Sequence, residues 1–269
     1  MSESSLTYQV YVAPIIAMAG KDVPPGQSRS TWSPISATLI SGRHDAVLTT
    51  EKNLTTVYVT HGHGDHWFGL GAVRERFSGV RAVATPAVVE SMRKWSAPEA
   101  LQTFWQPRFP GQIPDDNPVA DPLDGPSFEL EGHRLVAVGV GHTDTDDTTV
   151  LHVPDIGLIV AGDAAYNGVH QYLAESDSQG RQDWLAALDT IEALDPRAVV
   201  AGHKRYGNDD NPRIIDETRQ YIRDFDRLDK ETTTAEELYW QMLAMYPNRV
   251  NPGALWLSAQ SAKAGTGQR

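Results

Sequence analysis

Cysteine is absent from the 269-residue chain. Its absence removes disulfides, thiolate nucleophiles and thiolate metal ligands together, so any metal chemistry must use nitrogen and oxygen donors. No apolar run is long enough for a membrane span. The apolar stretch at 10–19 is broken by Pro14 and has no Lys or Arg ahead of it. Although Ala17-Met18-Ala19 is similar to a signal-peptidase site, the stretch reads as a first strand and the protein as cytoplasmic. Positive charge is in deficit. With 23 Lys and Arg against 35 Asp and Glu, the formal net charge of -12 argues against a phosphate-tracking surface and against nucleic acid as a partner. No linker rich in Gly, Ser or charge divides the chain, which reads as a single domain over 1–269.

What the chain does have is THGHGDHWFG at 60–69. Within six residues it offers His61, His63, Asp65 and His66, separated only by Gly62 and Gly64. Imidazole and carboxylate suit a borderline ion such as zinc, and glycine lets a tight loop turn all four groups inward. His61 and His63 project together while Asp65 and His66 lie one step further round, an arrangement that suits two ions. A solvated His-rich turn is the competing reading, but it needs neither the glycines nor matching residues downstream.

Those matching residues exist. The apolar run 57–60 leads into His61, 136–141 into His142, 158–162 into Asp163 and 198–202 into His203. Short β-branched runs mark buried strands, and three of these four end in the glycine that precedes the candidate ligand. Ligands on strand ends are held more rigidly than ligands on a free loop, as a catalytic metal site requires.

These residues resemble the metallo-β-lactamase-fold hydrolases, whose HxHxDH signature is matched by His61 to His66. The later order His142, Asp163, His203 is also that of the dinuclear members. The resemblance covers nearly the whole chain and implies an α/β fold, an αββα sandwich with the metals at one edge of its two sheets. Residue by residue it implies two Zn2+, with Fe or Mn as alternatives: His61, His63 and His142 around the first, Asp65, His66 and His203 around the second, and Asp163 bridging. One departure stands out. Only 50–54 separate the strand read at 46–49 from the strand that carries the motif, which leaves no room for the helix usually found there.

Taken in order, strands are expected at 8–12, 37–40 and 46–49, with a Pro/Gly/Ser-rich loop at 23–34. A helix follows at 70–77, a strand at 80–84, and a helix at 87–95 opened by Thr85 as N-cap and Pro86. The stretch 98–126 is rich in proline and reads as an irregular insertion. It carries Phe104, Trp105 and Phe109, which suit either a lid or core packing. Hairpins are expected at 127–131 with 133–140 and at 148–153 with 156–160, and helices at 181–194, 212–228 and 234–245. The stripe of the last two suits packing on a sheet, or a homodimer contact.

Two dications close together need an anionic bridge, and water between them ionises near neutral pH to give a nucleophile. Asp65 is either a ligand alone or also the group that orients this nucleophile and carries its proton. Asp163-Ala-Ala-Tyr166 is similar to the D-x-x-Y element of the acyl-homoserine lactonase branch, which implies a hydroxyl aimed at the substrate carbonyl. A tyrosine packed beneath the metals is the competing role. His170 reads as support behind the ligands or as a substrate contact, and Lys204 as a partner for a substrate carboxylate or a solvated lysine. Trp67 and Phe68 read as a pocket floor or as core. The leading expectation is therefore a dinuclear zinc hydrolase of a small molecule, a lactone or related ester or amide. A glyoxalase II-like thioesterase and a β-lactam hydrolase share the apparatus. An iron-dependent sulfur dioxygenase and a non-catalytic metal-binding protein are the readings from other classes.

Overall fold

The computed structural model describes residues 54–264, together with the antiparallel backbone pairing of β1 (Ile16–Ala17) and β2 (Thr31–Trp32). Thr31–Trp32 is thus a strand inside the stretch read as a loop at 23–34. The strands expected at 8–12, 37–40 and 46–49, and the connection 50–53, lie outside the described residues.

Two sheets build the core. β3 (Thr56–Tyr58), β4 (Arg81–Ala84) and β5 (Asp121–Pro122) form a parallel sheet in the order β3-β4-β5. The other sheet has the order β10-β9-β8-β7-β6, from β6 (Ser127–Leu130), β7 (His133–Gly141), β8 (Thr148–Val153), β9 (Leu158–Gly162) and β10 (Ala198–Ala201). It is antiparallel except where β10 runs parallel to β9. β8 and β9 are buried on both faces, and neither shows the apolar-polar alternation of a strand with one face in water. Between the sheets Val83, Leu123 and Ala137 form a cluster joined by Tyr58 and Phe128, whose rings lie 6.0 Å apart.

Helices cover the outside and complete an αββα sandwich. Leu70–Arg76 and Pro86–Trp95 follow the motif and β4. Thr85 stands at the N-cap of the second, but its hydroxyl makes no capping bond there; the proline at the first helical turn fixes the start instead. On the far side Ser178–Glu192, capped by Asp177 accepting from Gly180 N–H at 2.8 Å, packs with Ile214–Glu231. Ala235–Met245 opens on a full capping box between Thr234 and Glu237. A further helix, Pro252–Ala264, packs against it. The stretch 98–108 is helical rather than irregular, with a π-helical turn at Leu101–Trp105. Among the described residues no helix is long and apolar enough to cross a membrane.

Candidate metal centre

The ends of β3, β7, β9 and β10 meet at one edge of the sandwich. The chain leaves β3 through Thr60, whose carbonyl accepts from the N–H and hydroxyl of Thr149 at 2.9 and 2.6 Å. Trp67 pins the next turn, its indole N–H donating to the Gly62 carbonyl at 2.8 Å. Behind Asp163, the Trp184 indole donates to the Ala164 carbonyl at 2.9 Å, and the Thr218 hydroxyl accepts from Tyr166 N–H at 3.0 Å. The two outer helices therefore hold the loop that follows β9. Glycine before a candidate ligand is a packing requirement here. A Cβ on Gly162 would lie 2.4 Å from Thr60 Oγ1, and one on Gly202 would lie 2.2 Å from Asp163 Oδ1.

These elements bring together His61, His63, Asp65, His66, Asp163 and His203, and with them Asp144. All are buried except His66, which is partly so. Asp144 Oδ2 lies 2.7 Å from His63 Nδ1 and 3.7 Å from His61 Nε2. Asp163 reaches His66 Nε2 at 3.2 Å through Oδ1 and His203 Nε2 at 3.1 Å through Oδ2. Asp65 Oδ2 stands 3.3 Å from His203 Nε2 and 3.5 Å from His66 Nε2. Three overlapping groups result: His61, His63, Asp144; Asp65, His66, His203; and His61, His66, Asp163 joining them.

The donors fit cations. Ligand atoms about 2.1 Å from a tetrahedral ion stand about 3.4 Å from one another, and the spacings above scatter around that value. His61 Nε2, His66 Nε2, Asp144 Oδ2 and Asp163 Oδ1 are buried without a hydrogen-bond partner among the described residues, although each lies near another of the set. Buried polar atoms in that condition are costly unless something outside the chain satisfies them. Nitrogen and oxygen donors of this kind suit zinc, iron or manganese.

The charges support the same view. Burial opposes ionisation of Asp144 and Asp163, yet His61 and His63 hold the first below the usual carboxylate range, and His203 and His66 hold the second well below it. His66 and His203 likewise lower Asp65. Against the same penalty, Glu175 and Asp144 raise His63 well above an ordinary imidazole, Asp163 and Asp65 raise His66, and Asp163 raises His203 to about 10. Burial dominates at His61, which falls to about 4 despite Asp144. The carboxylates thus favour the protonated form of three imidazoles, in the places where metal charge would otherwise stand.

His142 does not join the cluster. β7 shifts register between Gly139 and Gly141, and Gly141 has φ 83°, so the strand end turns before the histidine. His142 Nδ1 meets Asp146 Oδ1 at 2.6 Å, and its Nε2 meets Ser176 Oγ at 2.9 Å. Asp144 occupies the expected place. The Thr143 hydroxyl donates to its Oδ1 at 2.9 Å and leaves Oδ2 turned to the histidines. The one sequence signal was the acidic run Asp144, Asp146, Asp147 immediately after the strand.

Other candidates also move. The Tyr166 hydroxyl donates to Asp163 Oδ2 at 2.8 Å, and its ring stacks on His203 at 5.5 Å. Its one proton is committed to Asp163, which corrects the substrate-facing role. His170 is buried against the Tyr221 hydroxyl, 3.0 Å from Nδ1. Lys204 pairs with Asp210 at 2.5 Å, not with the site. Trp67 and Phe68 are core, 1% exposed each. Phe104 and Trp105, from the π-helical turn, cover the cluster together with Tyr172, which the sequence did not single out; Trp105 also packs on Phe68. They enclose a cavity of about 10 Å³ lined by His63, Asp65, Asp163 and His203, about the room one water needs. Phe109 is buried core.

An αββα sandwich with clustered imidazoles and carboxylates at one sheet edge defines a metal-binding hydrolase scaffold. The model of the Metallo-beta-lactamase superfamily matches residues 35–203, and the chain belongs to that superfamily. It is similar to a metallo-beta-lactamase from Pontibacter korlensis, with 14% identity, TM-score 0.54, and 81% of this chain and 91% of that one covered. It is also similar to a metallo-beta-lactamase family protein from Thermus thermophilus, with 20% identity, TM-score 0.60, and 95% and 94% covered. At these identities the likeness is one of fold. No curated protein matches the chain.

Proposed function

We propose that the protein hydrolyses a carbonyl-centred bond in a small molecule, with a lactone or related ester or amide as the preferred class. Two zinc ions, or iron or manganese in their place, would be its cofactors. The observation that carries this reading is the joining of two ligand groups through His61, His66 and Asp163, beside an aromatic-roofed cavity lined by His63, Asp65, Asp163 and His203. His61, His63 and Asp144 would hold one ion, and Asp65, His66 and His203 the other, with Asp163 beside both groups. Bound divalent ions supply Lewis-acid polarisation of a carbonyl and ionise water near neutral pH.

The chain's own groups do the rest. Tyr166 donates to Asp163 and fixes the carboxylate's orientation between the two groups. Asp65, kept ionised by His66 and His203, is placed to orient the attacking water and to pass its proton to the leaving oxygen or nitrogen as the acyl bond breaks. Phe104, Trp105 and Tyr172 roof the cluster and exclude bulk water; over a cavity of about 10 Å³ these rings would have to move aside before a substrate's acyl or ring carbons could reach it.

A second reading has a specific observation behind it. His61, His63 and Asp144 form a two-imidazole, one-carboxylate set, the donor type of non-haem iron oxygenases. Metal analysis and oxygen consumption separate the two. For the leading reading, metal-analysed protein is assayed against lactones, thioesters, β-lactams and phosphodiesters. It should carry about two equivalents of metal and open lactones or esters, with Asp163→Asn inactive. Full turnover by Asp163→Asn with one equivalent bound would overturn the two-ion scheme.

A further inference from the structure

His63 is gripped from both sides. Its Nδ1 faces Asp144 Oδ2 at 2.7 Å, and its Nε2 faces Glu175 Oε1 at 2.9 Å. We propose that Glu175 is the positioning residue of the His61–His63–Asp144 half-site, fixing the tautomer of His63 and the loop that carries Asp144.

The tautomer follows from the acceptor. Both ring nitrogens of His63 face carboxylates that only accept; when an ion displaces the hydrogen on Nδ1, Glu175 keeps the one on Nε2, and the Nδ1 lone pair is left for the point shared with His61 Nε2 and Asp144 Oδ2. A carboxylate behind a ligating histidine also makes it a better donor, because charge drawn from the imidazole by an ion is returned through the hydrogen bond.

Glu175 reaches the second ligand as well. Its Oε2 accepts from Thr145 Oγ1 at 2.9 Å, and Thr145 adjoins Asp144. The next residue continues the clamp: the Ser176 hydroxyl donates to the Thr143 carbonyl at 2.7 Å, and the Arg181 guanidinium anchors the Ser176 carbonyl at 3.1 Å. The pair Glu175-Ser176 therefore latches both sides of Asp144. That loop needs an external latch, because it begins where β7 has lost its regular register. Tyr172, which covers the site, donates to Glu175 Oε1 at 3.4 Å and ties the same carboxylate to the cavity roof. Through His63 and Thr145 the carboxylate acts on the Asp144 half-site, so removing it should weaken the hold on one ion alone.

The assignment rests on the reading of the cluster as a two-ion centre, and metal binding tests the two separately. Chelator-stripped wild type, Glu175→Ala and Glu175→Gln are titrated with Zn2+ against a chromophoric chelator, and Co2+ spectra are recorded in parallel. Wild type should show two binding events. Glu175→Ala should weaken one by about 10- to 100-fold and leave the other within about threefold. Glu175→Gln should recover most of the loss, since its side-chain oxygen still accepts from Nε2–H. Both events unchanged in Glu175→Ala would overturn the proposal, as would equal weakening of both in a protein with a native circular dichroism spectrum. If Glu175→Ala misfolds, Thr145→Val decides: selective weakening of one event supports the latch, and an unchanged titration overturns it. A single event in wild type, lost in Glu175→Ala, would retire the two-ion reading and leave Glu175 in its role. A wild type that binds no ion would end both.

Discussion

His170 should make the fold acid-sensitive by an amount its surroundings set. The imidazole is fully buried, bonded through Nδ1 to Tyr221, and its Nε2 has no hydrogen-bond partner among the described residues. Burial, with a smaller contribution from the positive charge of Arg249, lowers its pKa to about 3. In the unfolded chain it titrates at about 6.5. Between those values the unfolded state binds more protons than the folded one, so stability falls as pH falls below about 6.5 and the loss is complete below about 3. At pH 5 the penalty is about 2 kcal/mol, and at the limit about 5 kcal/mol. Urea unfolding in EDTA at pH 7.5 and pH 5 measures it, comparing wild type with His170→Asn. The variant removes the titration whatever it does to absolute stability. Other groups, His61 included, contribute to both proteins and cancel in the difference. His170→Asn should therefore lose about 2 kcal/mol less than wild type over that interval. Parallel losses in the two proteins would mean that His170 is hydrated in the folded state, and the burial argument would fail.

Two further substitutions test the metal centre. His142→Ala should bind Zn2+ as wild type does, whereas Asp144→Asn should lose one binding event, on the order of 100-fold or more for a charged ligand; the reverse outcome in a zinc titration would restore His142 to the site. Gly202→Ala places a methyl group 2.2 Å from Asp163 Oδ1 and 2.9 Å from His66 Cε1, so metal affinity should drop about 10- to 100-fold while the far-UV spectrum is kept. Unchanged affinity there would show that Asp163 can shift without cost.

The parts of the site that were legible in the sequence share a local cause. Apolar β-branched runs stop at His61, Asp163 and His203 because those strands lie in the two inner layers and end at one edge of the sandwich, and the glycines at 162 and 202 record how closely neighbouring groups approach. His142 obeyed the same pattern and still missed. The register shift in β7 depends on pairing with β8, which a single strand's sequence does not display. Glu175 had no signal at all, since it lies between β9 and the next helix and meets the half-site through residues 30 and 112 positions away. Prolines misled in 98–126: Pro98 and Pro107 sit in the first turns of helical pieces, where a missing N–H costs nothing. The helix Pro252–Ala264 was overlooked for the opposite reason. Its Gly253, Ala254, Leu255, Leu257, Ser258 and Ala259 are all buried, so no polar face gave it a helical period.

Asp144 in place of a histidine changes the electrostatics of the centre as well as its membership. In the two-ion centre proposed above, two dications against three carboxylates would leave one positive charge, where two carboxylates would leave two. A centre of lower charge holds its ions more firmly and draws less on a bound carbonyl, and its donor set moves toward the oxygen-rich side favoured by harder ions. The same third carboxylate shapes the metal-free protein. It is one of the two anions that raise His63, the other being Glu175, so the half-site at rest holds a proton that an incoming ion must displace. Ion uptake at His61, His63 and Asp144 would therefore be coupled to proton release more strongly than a neutral third ligand would make it. The position that breaks the family pattern would then also set how tightly, and at what pH, an ion is held there.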